Sequence, residues 1–391
     1  MEEPAPDQTA VTQPPAAAKK EHITRIHGVE LKDDYFWLRE RENPDVIAYL
    51  EAENAYTDAA MAGTRALQKS LYDEMLARMV EDDASVPHKD GEYWYYYRTE
   101  SGKPYRIYCR KKGSLDAPEE VLLDVNVLAE GKEYVSLGVF EVSPDHTLLA
   151  FSVDETGYER HTLQFKELST GKLLADRVMN TYYSVAWGND NKTIFYNTID
   201  AANRPYRLHR HVVGTEATAD VVVHQEDDDR FFLDVKRTRS GGYILMSLSS
   251  AITDEVHYVD ANHPGGALQV IHPRQQALEY RVEHHNGRFL ILTNDDAMNF
   301  KLVEAPVSNP TKANWKTVIA HSNDVTMSSL LPFRDHLVIY ERRKGLPQLR
   351  VMSLLPGGDE HYIVFDEPTY DVWPGRNLEF NATVLRFGYT S

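Results

Sequence analysis

The stretch SPDHTLLAFSVDETGYERHTLQFKEL, residues 143–168, holds two short apolar runs set between polar connections. The runs alternate apolar and polar residues and are rich in β-favouring types, so each is expected to be a strand. Ser-Pro-Asp-His before them and Ser-Thr-Gly after them are turn formers. The same layout returns from Lys89 (KDGEYWYYYRTESGKPYRIYCRKKG), Gly188 (GNDNKTIFYNTIDAANRPYRLHRHVV), Ser240 (SGGYILMSLSSAITDEVHYVD), Asn286 (NGRFLILTNDDAMNFKLVEAP) and Phe333 (FRDHLVIYERRKGLPQLRVMSL). Marking the first apolar residue after each turn gives Tyr93, Leu148, Ile194, Tyr243, Phe289, Leu337 and Val384, at spacings of 55, 46, 49, 46, 48 and 47 residues. A period of this size, with room for four short strands, is that of a propeller blade.

Seven markers imply seven blades. The seventh is expected to be incomplete, because the closing NLEFNATVLRFGYTS, residues 377–391, has room for about two strands, one of them over 383–389. The fold class is therefore all-β, a seven-bladed β-propeller over residues 86–391. A half blade leaves unpaired backbone groups along a sheet edge, which suggests a chain cut inside blade seven.

Two helices are expected before the propeller, in a short N-terminal extension over residues 22–85. Asn43 can cap the first, Pro44 suits its first position, and Asp45 complements the helix dipole, giving a helix to about Ala60. From Thr64, Leu67, Leu71, Met75 and Met79 recur every four residues and form one apolar stripe that needs a partner. Residues 1–21, rich in Pro, Ala and acid, lack the basic start and apolar core of a signal peptide and read as a disordered leader.

Among the 391 residues, 42 Lys and Arg face 60 Asp and Glu, a formal charge of −18 that disfavours nucleic acid as a partner. No window is apolar enough to span a bilayer, so no membrane partner is expected. The single cysteine, Cys109, permits no internal disulfide and fits a reducing, cytoplasmic setting; its alternating context, YRIYCRK, reads as a packed thiol.

Several long stretches carry a resemblance: DDYFWLRERENPDVIAYLEAENAYT (33–57), SPDHTLLAFSVDETGYERHTL (143–163), EDDDRFFLDVKRTRSGGYI (226–244), VEHHNGRFLILTNDDAMNFKLVEAP (282–306) and DEPTYDVWPGRNLEFNATVLRFGYTS (366–391). Over residues 21–391 the sequence resembles the oligopeptidase B group of the prolyl oligopeptidase family of serine peptidases. The resemblance implies a propeller that restricts access and a C-terminal α/β-hydrolase domain that does the chemistry, cleaving short peptides after Arg or Lys. It also implies that the N-terminal segment associates with the hydrolase domain, which would cover the apolar stripe.

No Gly-x-Ser-x-Gly elbow occurs in the sequence. The resemblance places the nucleophile, the acid and the histidine in the absent C-terminal domain, so no catalytic residue is assigned and the chain alone is expected to be inactive. No cofactor or metal is expected: His209 and His211 share one strand face but have no third ligand spaced nearby, and His284-His285 read as turn residues. The cluster YWYYYR at 93–98 reads as sheet packing rather than a base-stacking platform, and the sequon-like Asn191 and Asn381 carry little weight without a secretory signal. Asp227, Asp228 and Asp229, with Asp295 and Asp296, are the candidate residues for steering basic peptides, against a plain reading as solvated turns. The competing readings are a non-catalytic propeller binding module and one half of a split peptidase.

Overall fold

The computed structural model describes residues 13–391; residues 1–12, more than half of the expected leader, lie outside the described part. The chain divides into two compact units, one ending at Glu81 and the other Asp82–Ser391.

The first unit holds a hairpin, β1 (His22–Ile26) and β2 (Val29–Asp33), and two helices, α1 (Pro44–Met61) and α2 (Arg65–Ala77). The Asn43 side chain accepts the Asp45 N–H at 3.0 Å and Pro44 opens α1, as the sequence led us to expect. The hairpin was not anticipated; its His27-Gly28 turn has positive φ at both residues, the geometry that suits a two-residue connection. Residues 18–20 of the expected disordered leader are tied down. The Trp37 indole donates to the Ala18 carbonyl at 2.9 Å, and Lys20 pairs with Asp45 at 2.7 Å. Leu67, Leu71, Met75 and Met79 remain between 48% and 65% exposed, so the stripe is unburied. No helix among the described residues is long and apolar enough to cross a membrane.

Residues 82–85, expected with the helical extension, pair instead within the second unit: Ala84 bridges Arg98 and the Ser85 N–H donates to the Tyr97 carbonyl. The second unit is built of consecutive antiparallel blades. Blade 1 (88–124), blade 4 (232–272), blade 5 (280–319) and blade 6 (325–362) are four-stranded sheets. Blades 2 and 3 form one seven-stranded sheet because the 15-residue strand Leu173–Trp187 serves as outer strand of the former and inner strand of the latter. Its register shifts on both sides of Thr181, next to Asn180 at φ +58°, and this bend lets one strand serve two blades.

Blade 7 has two strands, Asp371–Pro374 and Phe387–Thr390. The strand expected over 383–389 is therefore shorter, and the seventh marker, Val384, is an exposed residue of the connection. In the other blades a tight turn leads straight into the second strand. Here residues 375–386 form a long loop, and its apolar rhythm comes from Ala382 and Leu385 packing on the core between blades 6 and 7, not from strand pairing.

The core explains why the repeat was legible. Along each second strand, successive residues enter different inter-blade layers. Leu149 and Phe151 pack toward blade 1 while Ala150 packs toward blade 3; Ile244 and Met246 pack toward blade 3 while Leu245 packs toward blade 5. Phe289 and Ile291 face blade 4, Leu290 and Leu292 face blade 6. Strands buried on both faces read as continuous apolar runs, and these are the runs that mark the period.

Candidate functional site

Because strands alternate in direction within a blade, the turns after the first and third strands lie on one face. Connections after the second strand and crossovers between blades lie on the other. The tight turns that punctuate the sequence, such as 143–147 and 286–287, therefore share one face. The acidic loops share the opposite one: 226–231 is the crossover into blade 4, and 294–300 follows the second strand of blade 5.

Alternation on the inner strands selects what faces the axis. In Phe232–Arg237, Leu233 and Val235 are buried between blades, leaving Asp234 and Lys236 outside that layer. A cavity of about 410 Å³ is lined by Gly138 and Glu141 of blade 2, Tyr183 of blade 3, Lys236 of blade 4 and Arg376 of the blade 7 loop. Residues from blades this far apart around the ring meet only across the axis, so this cavity is axial.

Glu141, Tyr183, Lys236 and Arg376 keep access to solvent in this cavity, and ionisable groups around it are shifted. Burial raises the carboxyl pKa values of Asp90, Glu141 and Asp234, with Arg376 opposing the shift at Asp90 and Glu141. Burial, helped by the charges of Arg376 and Arg386, lowers His88 to about 4 and keeps its imidazole neutral near pH 7. Lys236 pairs with Glu283 at 2.6 Å, joining blades 4 and 5.

The loop 375–386 closes its own neck through buried Asn377, which donates to the Gly375 and Arg386 carbonyls and accepts the Arg386 N–H at 2.8 Å. Its tip reaches widely. The Glu379 carboxylate lies 3.5 Å from Lys89 of blade 1, the Glu379 carbonyl accepts from Arg239 of blade 4 at 3.0 Å, and the Phe380 carbonyl accepts the Arg334 N–H of blade 6 at 2.8 Å. Blade 4 lies across the ring from blade 7, so the loop spans the axial mouth on the turn face.

Of the candidate steering residues, Asp227 accepts from Gln225 at 2.7 Å, and Asp229 and Asp296 are exposed. Asp228 is paired with Arg230, whose hydrogen bond holds its carboxyl down to about 2. Asp295 lies 2.5 Å from Lys312 and 3.5 Å from Lys301; burial disfavours its charge, but these lysines outweigh it and lower the pKa. The two groups sit on one face in separate loops. His211 is buried and bonded to Asp220 at 2.6 Å, while His209 stacks on Tyr196 and bonds Thr198 at 3.1 Å. Cys109 is buried in blade 1 with its thiol pushed up to about 12, chiefly by burial, which leaves it without thiolate character. Sequence reading missed Asp90, Glu141 and Arg376; the alternation of their strands could have flagged the first two, but nothing local marks a loop that crosses the axis.

The family described as "Prolyl oligopeptidase, N-terminal beta-propeller domain" matches residues 14–391. The chain is 39% identical to dipeptidyl aminopeptidase BI of Pseudoxanthomonas mexicana, over 98% of this chain and 55% of that protein. It is 37% identical to Protease 2 of Moraxella lacunata, over 92% of this chain and 52% of that protein. Oligopeptidase B from Leishmania major superposes with a TM-score of 0.90 at 33% identity, covering 97% of this chain and 57% of that one. The chain thus spans about half the length of the curated relatives it matches. With six complete blades, a two-stranded seventh and this likeness over nearly its whole length, the chain belongs to the prolyl oligopeptidase family, whose N-terminal propeller portion it represents.

Proposed function

We propose that this chain is the gating portion of a cytoplasmic serine oligopeptidase that hydrolyses short peptides on the C-terminal side of Arg or Lys. In this reading the triad is supplied by an α/β-hydrolase domain not contained in these residues, and the chain alone is inactive. The observation that carries the reading is the loop 375–386, which spans one axial mouth and touches blades 1, 4 and 6. A covered passage admits an extended peptide more readily than a folded chain. The test joins the chain to its hydrolase domain and replaces 378–385 with a short Gly-Ser link. Cleavage of a large, unfolded Arg-containing polypeptide should then rise severalfold while kcat for a short Arg-dye peptide changes less than about twofold. Equal size selectivity in both forms, or hydrolysis by the 391-residue chain alone, would overturn the reading. Release of dipeptides from a free N-terminus, the activity named for one relative, would replace the endopeptidase assignment.

Steering of basic peptides rests on Asp227, Asp229 and Asp296, because Asp228 and Asp295 are neutralised by local cations. In the joined enzyme, Asp227→Asn with Asp229→Asn should raise KM about two- to fivefold at low salt and much less at high salt, where screening is strong. A KM unchanged at both salt concentrations would make these residues ordinary solvated turns.

A further inference from the structure

The loop 375–386 is built in two parts. Its neck is closed by main-chain and side-chain bonds: the Gly375 N–H donates to the Arg386 carbonyl at 3.2 Å, and Asn377 bonds both sides. A Cβ at Gly375 would lie 2.8 Å from the Arg386 carbonyl carbon and oxygen, so only glycine permits this close approach. Ala382 and Leu385 pack on the core between blades 6 and 7 and fix the returning limb. Between these anchors the tip, residues 378–381, buries little: Leu378 is 39% exposed, and Asn381 is exposed as well.

The tip is held by polar contacts, and one side chain supplies the longest reach. Arg239, in the turn of blade 4, donates from Nη2 to the Glu379 carbonyl at 3.0 Å and from Nε to the Pro332 carbonyl of blade 6 at 2.9 Å. Its guanidinium lies 4.6 Å from the centre of the Phe333 ring. The planar fork is thus oriented by a carbonyl and a ring of blade 6 and needs little further ordering to grip the tip. The second contact is also fixed in place. The Arg334 N–H donates to the Phe380 carbonyl at 2.8 Å, while the Arg334 carbonyl accepts from buried His285 at 2.8 Å. Both contacts seize main-chain carbonyls, so the grip depends on the donors and not on the tip's own side chains. The Lys89–Glu379 pair, 3.5 Å apart and partly exposed, adds little.

We propose that Arg239 is the positioning residue of the gate: its fork holds the tip 378–381 across the mouth, and without it the tip opens and closes about a neck that stays shut. The freed tip remains tethered on both sides, so residue 379 keeps within reach of blade 4 while the passage beneath it widens and narrows. The part this plays in size selection rests on the gating reading above. The division of the loop into a fixed neck and a releasable tip needs only residues of this chain.

The test is hydrogen exchange of the 391-residue chain, read at single residues by mass spectrometry. The Arg334 amide reports the tip, because its acceptor is the Phe380 carbonyl, and the Arg386 amide reports the neck, because its acceptor is Asn377 Oδ1. Arg239→Ala should speed exchange at Arg334 at least about tenfold and change it at Arg386 by less than about twofold. Arg239→Lys keeps the charge but has no fork, and should act as the alanine variant does. Should the alanine variant fail to fold, as judged by circular dichroism, the lysine variant serves with the same readout. Parent-like protection of Arg334 in a folded variant, or faster exchange at Arg334 and Arg386 together, would overturn the proposal. In the enzyme joined to its hydrolase domain, Arg239→Ala should also raise cleavage of the large unfolded polypeptide. A freed tip with unchanged size selectivity would overturn the gating reading and leave the hold of Arg239 on the tip intact.

Discussion

At the scale of single residues, His284 shows how burial sets a charge state. The Gly287 N–H donates to its Nε2 at 3.2 Å, and its Nδ1 lies 2.7 Å from the Ser240 hydroxyl, linking the turns of blades 4 and 5. Nε2 therefore acts as acceptor and the ring is neutral. Burial first, and the neighbouring His285 second, push its pKa down from 6.5 to about 4. Between those values the unfolded chain binds the proton and the folded chain does not, so stability is full above 6.5 and is lost as the pH falls toward 4. Allowing for solvent screening at a partly exposed ring, the loss is ~1–2 kcal/mol. His284→Gln should flatten the fall in unfolding free energy, measured by urea titration, between about pH 7 and pH 5 by up to that amount; an unchanged fall would mean that His284 titrates alike in both states.

At the scale of elements, the second strands carry the fold. Ile244 and Leu245 are adjacent and fully buried but enter different layers, toward blades 3 and 5. Truncation to Ala should cost ~2–5 kcal/mol at either position, and the double variant should equal the sum of the singles within ~0.5 kcal/mol. A strong coupling, measured by denaturant unfolding, would mean that the two layers are not separate. These strands were legible because burial on both faces makes them apolar and their turns carry Gly, Asn and Asp. The seventh blade was not legible at Val384, where a loop packed through Ala382 and Leu385 imitates a strand. The shared strand Leu173–Trp187 escaped notice for a related reason: a bend at Asn180 leaves no turn sequence between two blades. The hairpin of the first unit is almost wholly exposed, so hydrophobic patterning gave little sign of it.

At the scale of the molecule, the axial region depends on contacts between residues far apart in sequence. Arg239 and Glu379 are 140 residues apart, and no periodicity relates a turn of blade 4 to a loop of blade 7. The acidic residues chosen from the sequence lie on the opposite face, while Asp90, Glu141 and Arg376 line the cavities near the loop. Local composition marked the charges of the loops; those around the axis come together only when the ring closes. Size selection by the propeller requires the loop to lie over the axis. That placement is tested most directly by cross-linking. In a Cys109→Ala background, Arg239→Cys with Glu379→Cys should be joined efficiently by a short bismaleimide, giving a linked peptide pair in mass spectrometry, whereas Arg239→Cys with a cysteine at exposed Val364 should not. A linked 239–379 pair places the loop across the mouth; no link beyond that of the control pair would leave the mouth open and contradict the gating role.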